Sequence, residues 1–139
     1  MIKKLLSITL TAISVSLAMA NSPPLAKGQW EVVTRPDFKG IPANPLPRTD
    51  RFCLDEAMIR EGRIPVFIAP ACKITGGSWD GIRLQMTVTC PDAPPDARIP
   101  AELTAEGKAF TSFVELNPSV RYNHSGRWIS EQCQHTTLP

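Results

Sequence analysis

A chain of 139 residues with 15 Lys and Arg against 13 Asp and Glu carries a formal charge of +2 and no block of like charge, which argues against nucleic acid and anionic membranes as partners. Its length is that of one ordinary domain. The four cysteines, Cys53, Cys72, Cys90 and Cys133, never stand close enough in sequence for a zinc-binding pair, so a structural zinc site is not expected.

The N-terminus reads as a targeting segment. Lys3 and Lys4 precede an apolar run from Leu5 to Leu17 broken only by Ser and Thr, and Ala18-Met19-Ala20 supplies the small residues that signal peptidase accepts. Residues 1–20 are therefore expected to be a secretory signal cleaved after Ala20, too short for a comfortable membrane span. No cysteine follows the cleavage point, so the mature chain is expected to be soluble, periplasmic and not lipid-anchored. Loss of Lys3 and Lys4 leaves 13 basic residues against 13 acidic, a formally neutral mature protein. Residues 21–139 are expected to form one domain, with its core at about 25–133. Four cysteines in an exported chain of this size read as two disulfides.

Along the mature chain the hydrophobic period is mostly two. Gln29 to Thr34 alternates, with Trp30, Val32 and Thr34 on one side. Prolines then crowd Pro36 to Pro47, which predicts an extended surface loop; the PxxP spacing of Pro42 and Pro45 is read as solvated polyproline-like chain. Asp55 can cap a short helix over Glu56 to Glu61, Gly62 can end it, and Leu54 can staple onto Ile59. Ile82 to Cys90 alternates cleanly, with Leu84, Met86 and Val88 inward. A second proline loop is expected from Pro91 to Pro100. Further strands carry Ala101, Leu103 and Ala105, then Phe110, Val114 and Leu116, then Tyr122, His124 and Trp128. The expected fold is all-β: five to seven strands of one antiparallel meander sheet, curled into a half-open barrel or small sandwich, with one short helix.

The stretch from Cys72 to Cys90 contains the turn signal Asp80-Gly81. A simple two-residue turn there would set Ile74 against Thr87 and put the two apolar faces at odds. One extra residue, from an odd loop or a bulge, restores agreement and sets Cys72 opposite Cys90 at disulfide distance. Cys53 then pairs with Cys133 by elimination.

Gly28-Gln29-Trp30-Glu31, Arg51-Phe52-Cys53-Leu54 and Ser125-Gly126-Arg127-Trp128-Ile129, taken with the four cysteines, are similar to a family of exported proteobacterial proteins catalogued only as a domain of unknown function. The resemblance spans roughly Leu25 to Cys133. It implies a small, disulfide-bonded, β-rich periplasmic domain, and it carries no activity or catalytic residue to transfer.

Candidate sites are few. His124 shares an inward face with Tyr122 and Trp128, and is read as a hydrogen-bonded histidine at the core edge in preference to a general base. A metal site built from His124, Cys133 and His135 would need a free thiol that the disulfide count denies, so no metal and no cofactor is expected. No Gly-x-Ser-x-Gly turn, converging carboxylate pair or phosphate-binding loop is present. Asp55-Glu56 is read as capping and Gly76-Gly77 as the site of a bulge. Trp30 and Trp128 are assigned to the core; Trp79, near the hairpin tip, is a candidate contact residue together with Tyr122 and His124. Asn123-His124-Ser125 has the form of a glycosylation sequon, which has no meaning in a bacterial periplasm.

The expected function is a non-catalytic periplasmic binding or interaction module. Its occupant would be a hydrophobic small molecule in the concavity, or an envelope protein meeting the proline loops and Trp79. A cavity lined by Leu84, Met86, Phe110 and Tyr122 would favour the small molecule, and a filled core the protein. A small enzyme using His124 and a purely structural envelope component are the alternatives.

Overall fold

The structure is a computed structural model that describes residues 23–68, 71–94 and 96–134. The predicted signal, its cleavage site at Ala20, and His135 lie outside the described residues. The elements are β1 (Gly28–Phe38), β2 (Arg48–Leu54), α1 (Glu56–Glu61), β3 (Lys73–Asp80), β4 (Arg83–Thr89), β5 (Ala101–Ala105), β6 (Ala109–Asn117) and β7 (Val120–Ser130). All seven strands join one antiparallel sheet in the order β2-β1-β7-β6-β5-β4-β3, curled into a half-barrel. The all-β expectation holds, with one refinement. β3 to β7 form the meander, and β7 closes back on β1 so that the β1–β2 hairpin extends the sheet at its far side.

Alternation decides which face is which. Leu84, Met86 and Val88 on β4, Ala101, Leu103 and Ala105 on β5, Phe110 and Val114 on β6, and Trp30 and Val32 on β1 are buried on the concave face. Their neighbours one residue away face solvent on the convex side, as the two-residue period of a pleated strand requires. β1 runs past its predicted end at Thr34 to include Pro36, which pairs with Tyr122 where β2 has already ended. Phe38, of the same parity, donates its backbone N–H away from β7 to Asn44 Oδ1, so the N–H missing at Pro36 costs no bond in the β1–β7 ladder.

The helix forms where its caps predict. Asp55 accepts from the Met58 N–H at 2.8 Å, and Gly62 ends the helix in the left-handed region at φ 72°. A Cβ at Gly62 would also stand 2.8 Å from Gly77 N and Leu84 Cδ1, so only glycine lets α1 sit this close to the β3–β4 hairpin. Leu54 and Ile59 are both fully buried in the core.

The β3–β4 turn is Gly81-Ile82, one residue later than the turn signal suggested, with Asp80 facing Arg83. Gly81 has φ 60° and Ile82 a negative φ, the signs of a type II′ turn, so Ile82 leaves the apolar face it was expected to share and stands 56% exposed. The predicted bulge is real and lies between Ile74 and Gly76, which returns Ile74 to face Val88 and Lys73 to face Thr89. Cys72 and Cys90 follow in register, disulfide-bonded with Cα atoms 4.2 Å apart. Cys53 bonds Cys133 across 80 residues, with Cα atoms 5.7 Å apart. Both predicted pairings are thus present.

β2 and β3 are the two edges of the sheet, and the chain that links them crosses the open side of the half-barrel. Ile59 of α1 and then Ile64, Val66 and Ile68 are buried on this crossing and complete the core. Residues 63–68 therefore act as a strap over the concave face. The two proline loops leave the opposite end of the half-barrel from the β3–β4 tip, because the β1–β2 and β4–β5 connections are there and Gly81-Ile82 is not. Trp79 and the proline loops thus cannot form one contiguous surface, contrary to the expectation that a partner would meet both.

Candidate functional site

The three motifs that carry the family resemblance pair with one another. Gly28, Gln29, Trp30 and Glu31 on β1 stand opposite Leu54, Cys53, Phe52 and Arg51 on β2, while Trp30 and Glu31 face Trp128 and Arg127 on β7. On the convex side Glu31 Oε2 accepts from Arg51 and Oε1 from Arg127, at 3.0 and 2.8 Å for the two Nη2 atoms. These two guanidinium groups, Arg127 foremost, hold the Glu31 carboxyl below the usual carboxylate range. On the concave side Trp30 is fully buried, packs on Phe110 at 5.3 Å between ring centroids, and donates its indole N–H to Ala26 O. Gly126 leaves room for that Phe110 ring: a Cβ there would lie 2.2 Å from Phe110 Cε1. Trp128 is half-buried under Lys108 and donates to Lys27 O, nearer the rim than the core assignment implied. Trp30, Glu31, Arg51, Gly126, Arg127 and Trp128 are thus accounted for by three-strand packing, which marks these motif residues as scaffold.

The polar interior is elsewhere. His124 on β7 faces Thr34 on β1 and Ser112 on β6, all three on the concave side. His124 Nε2 lies 2.6 Å from the Phe67 carbonyl oxygen of the strap, and Nδ1 lies 2.9 Å from Ser112 Oγ. A carbonyl only accepts, so Nε2 carries the hydrogen, and the neutral ring accepts from the Ser112 hydroxyl at Nδ1. Burial pushes the His124 pKa below the usual histidine value, against the opposing pull of the Phe67 carbonyl. Thr34, 1% exposed, has a hydroxyl with no hydrogen-bond partner among the described residues.

A serine hydroxyl on an imidazole is half of a hydrolase constellation. Here the group orienting the ring is a backbone carbonyl of the strap, and His124 and Ser112 are only 3% and 7% exposed. The pair spends its hydrogen bonds inside the fold. Tyr122 is 7% exposed as well, edge-on to both Phe38 and Phe67, and burial raises its phenol pKa. Tyr122 and His124 lie under cover, out of reach of a partner on the outer surface. Sequence reading placed Thr34 inward but missed Ser112. The available signal was a hydroxyl between Phe110 and Val114 on an otherwise apolar face.

Leu84, Met86, Phe110 and Tyr122 are buried in a single cluster with the strap, so the concavity is filled. An open groove of about 820 Å³ lies instead at the end of α1 and the β3–β4 tip, lined by Pro23, Pro24, Ile59, Arg60, Trp79 and Ile82 among others. Trp79 is half-buried in its wall, its indole N–H donating to Ile59 O at 2.6 Å. No cluster of three or more potential metal ligands occurs among the described residues. Nor is any helix among them long and apolar enough to cross a membrane.

The chain belongs to the family described as Protein of unknown function (DUF3617), whose model matches residues 25–133. No curated protein and no solved structure matches it.

Proposed function

We propose that the chain is exported, cleaved after Ala20, and serves in the periplasm as a non-catalytic module that docks an envelope protein through the groove beside Trp79. Two disulfides and no free cysteine among the described residues support an oxidising compartment. The filled concave face favours a protein over a small molecule as the resident partner. The observation that carries the reading is Ile82, an isoleucine 56% exposed at a hairpin tip that borders the groove. Pro23, Pro24 and Trp79 supply an apolar lining, and Glu56 and Arg60 give one acid and one base at the rim, which suits an apolar segment flanked by polar residues.

The test compares wild type with Ile82→Glu and Leu46→Glu as baits in periplasmic extract, read by native mass spectrometry. Leu46, 88% exposed in the first proline loop at the other end, is the control. A partner retained by wild type and Leu46→Glu but lost by Ile82→Glu supports the groove; loss with Leu46→Glu alone moves the interface to the proline loops and refutes it.

A further inference from the structure

The strap covers an apolar bed, yet it is joined to that bed by very little backbone bonding. Between Ile64 and Ile68 the one described backbone–backbone hydrogen bond is local, Val66 N–H to Ile64 O across Pro65. No strand ladder holds these residues. Their one hydrogen bond to the described sheet residues runs from His124 Nε2 to the Phe67 carbonyl; the Arg48 guanidinium of β2 stacks on the Phe67 ring at 4.1 Å, and the remaining hold is three aliphatic side chains. Beside that hydrogen bond stands the Thr34 hydroxyl, buried, on the same face and opposite His124 in register, with a proton to donate and no acceptor among the described residues.

We propose that the strap is a place-holder for an acyl chain with a carbonyl or carboxyl head, and that such a molecule displaces residues 64–68 to bind the concave face. Ile64, Val66 and Ile68 stand in for the chain, and the Phe67 carbonyl stands in for the head. On exchange the ligand's chain recovers the apolar surface that the strap gives up, so the hydrophobic terms largely offset. The polar terms do not. A ligand oxygen takes the His124 Nε2–H that Phe67 releases, and the head also satisfies the Thr34 hydroxyl, which the strap leaves without a partner. Ser112 keeps its bond to Nδ1 throughout and fixes the ring so that Nε2–H points at the head. A cationic head of the same chain length offers no acceptor and is refused. This site is distinct from the groove at Trp79 and does not depend on a partner docking there.

The test uses the purified processed protein with dodecanoate, and dodecyltrimethylammonium below its micelle concentration as the same-chain control. Calorimetry is expected to show binding of dodecanoate and none of the cation, with Thr34→Val weakening dodecanoate by about tenfold for one lost hydrogen bond to a charged acceptor. A Val66→Cys variant reports the strap, since Val66 is 6% exposed and the native cysteines are paired. Its thiol is expected to label faster when dodecanoate is added. Ile82→Glu is expected to bind dodecanoate unchanged, which separates this site from the docking groove. The proposal is overturned if dodecanoate fails to bind, if both surfactants bind alike, if Thr34→Val leaves affinity unchanged, or if labelling of the Val66→Cys variant is unaltered or slowed.

Discussion

Replacing Thr34 by valine keeps a branched side chain of nearly the same volume in a strand and removes one oxygen. That oxygen is buried and has no hydrogen-bond partner among the described residues, and the residue is 1% exposed. An unpaired hydroxyl in a protein interior costs about 1–3 kcal/mol by mutational data. Valine suits a β-strand as well as threonine does, so no propensity term opposes the gain. The substitution is therefore expected to stabilise the ligand-free protein by about 1 kcal/mol or more, which raises Tm by about 4 °C per kcal/mol for a domain of this size. Urea titration followed by tryptophan fluorescence measures it, with the m-value unchanged because the same surface is exposed on unfolding. A loss of stability of similar size would show that the hydroxyl is bonded in the native state, and the reading of the Thr34–His124–Ser112 row would fail with it.

Four further outcomes follow from the same packing. His124→Ala strands the Ser112 hydroxyl and the Phe67 carbonyl and opens a cavity, and should cost about 3–5 kcal/mol by chemical denaturation. Because burial lowers the His124 pKa, its contribution is fully present above the ordinary value of 6.5 and is lost as pH falls through the folded value; Glu31, also lowered, acts the same way below 4.5. Wild-type stability should thus fall in two stages on acidification, the first absent in His124→Gln. Gly126→Ala drives a methyl into the Phe110 ring and should cost about 1–3 kcal/mol, with a change in near-ultraviolet dichroism from the Trp30–Phe110 pair. Removing Cys53–Cys133, which closes 80 residues, should cost about 4.5 kcal/mol on the chain-entropy relation, against about 3 kcal/mol for Cys72–Cys90, which closes 18. Equal losses from paired serine variants would show that loop length does not govern either bond.

Where a residue's fate is decided by its nearest neighbours, it could be read from the chain. Leu84, Met86 and Val88 alternate and are buried; Asp55 and Gly62 carry cap chemistry and bound α1; the mismatch of apolar faces demanded one extra residue, in an odd loop or a bulge, and so placed Cys72 against Cys90. The turn itself slipped by one because Asp80-Gly81 and Gly81-Ile82 offer the same glycine, and only the flanking register chooses between them. What stayed hidden is non-local. Nothing near β1 announces β7 as its neighbour, so the Glu31 clamp on Arg51 and Arg127 had no visible mark. The strap was hidden for a different reason. Its short apolar run, interrupted by Pro65, shows no period of its own, and only the curl of a sheet with β2 and β3 at its edges makes it the cover of the core.

Nitrogen-15 NMR of the two histidines, with His124 assigned by its loss in His124→Gln, addresses directly whether the imidazole belongs to the fold or to an open site. His124 should be the neutral Nε2–H tautomer, slow to exchange with water, and should titrate below 6.5. A freely exchanging ring with an ordinary pKa would mean that the strap does not cover it, and would return His124 to the list of groups available for chemistry.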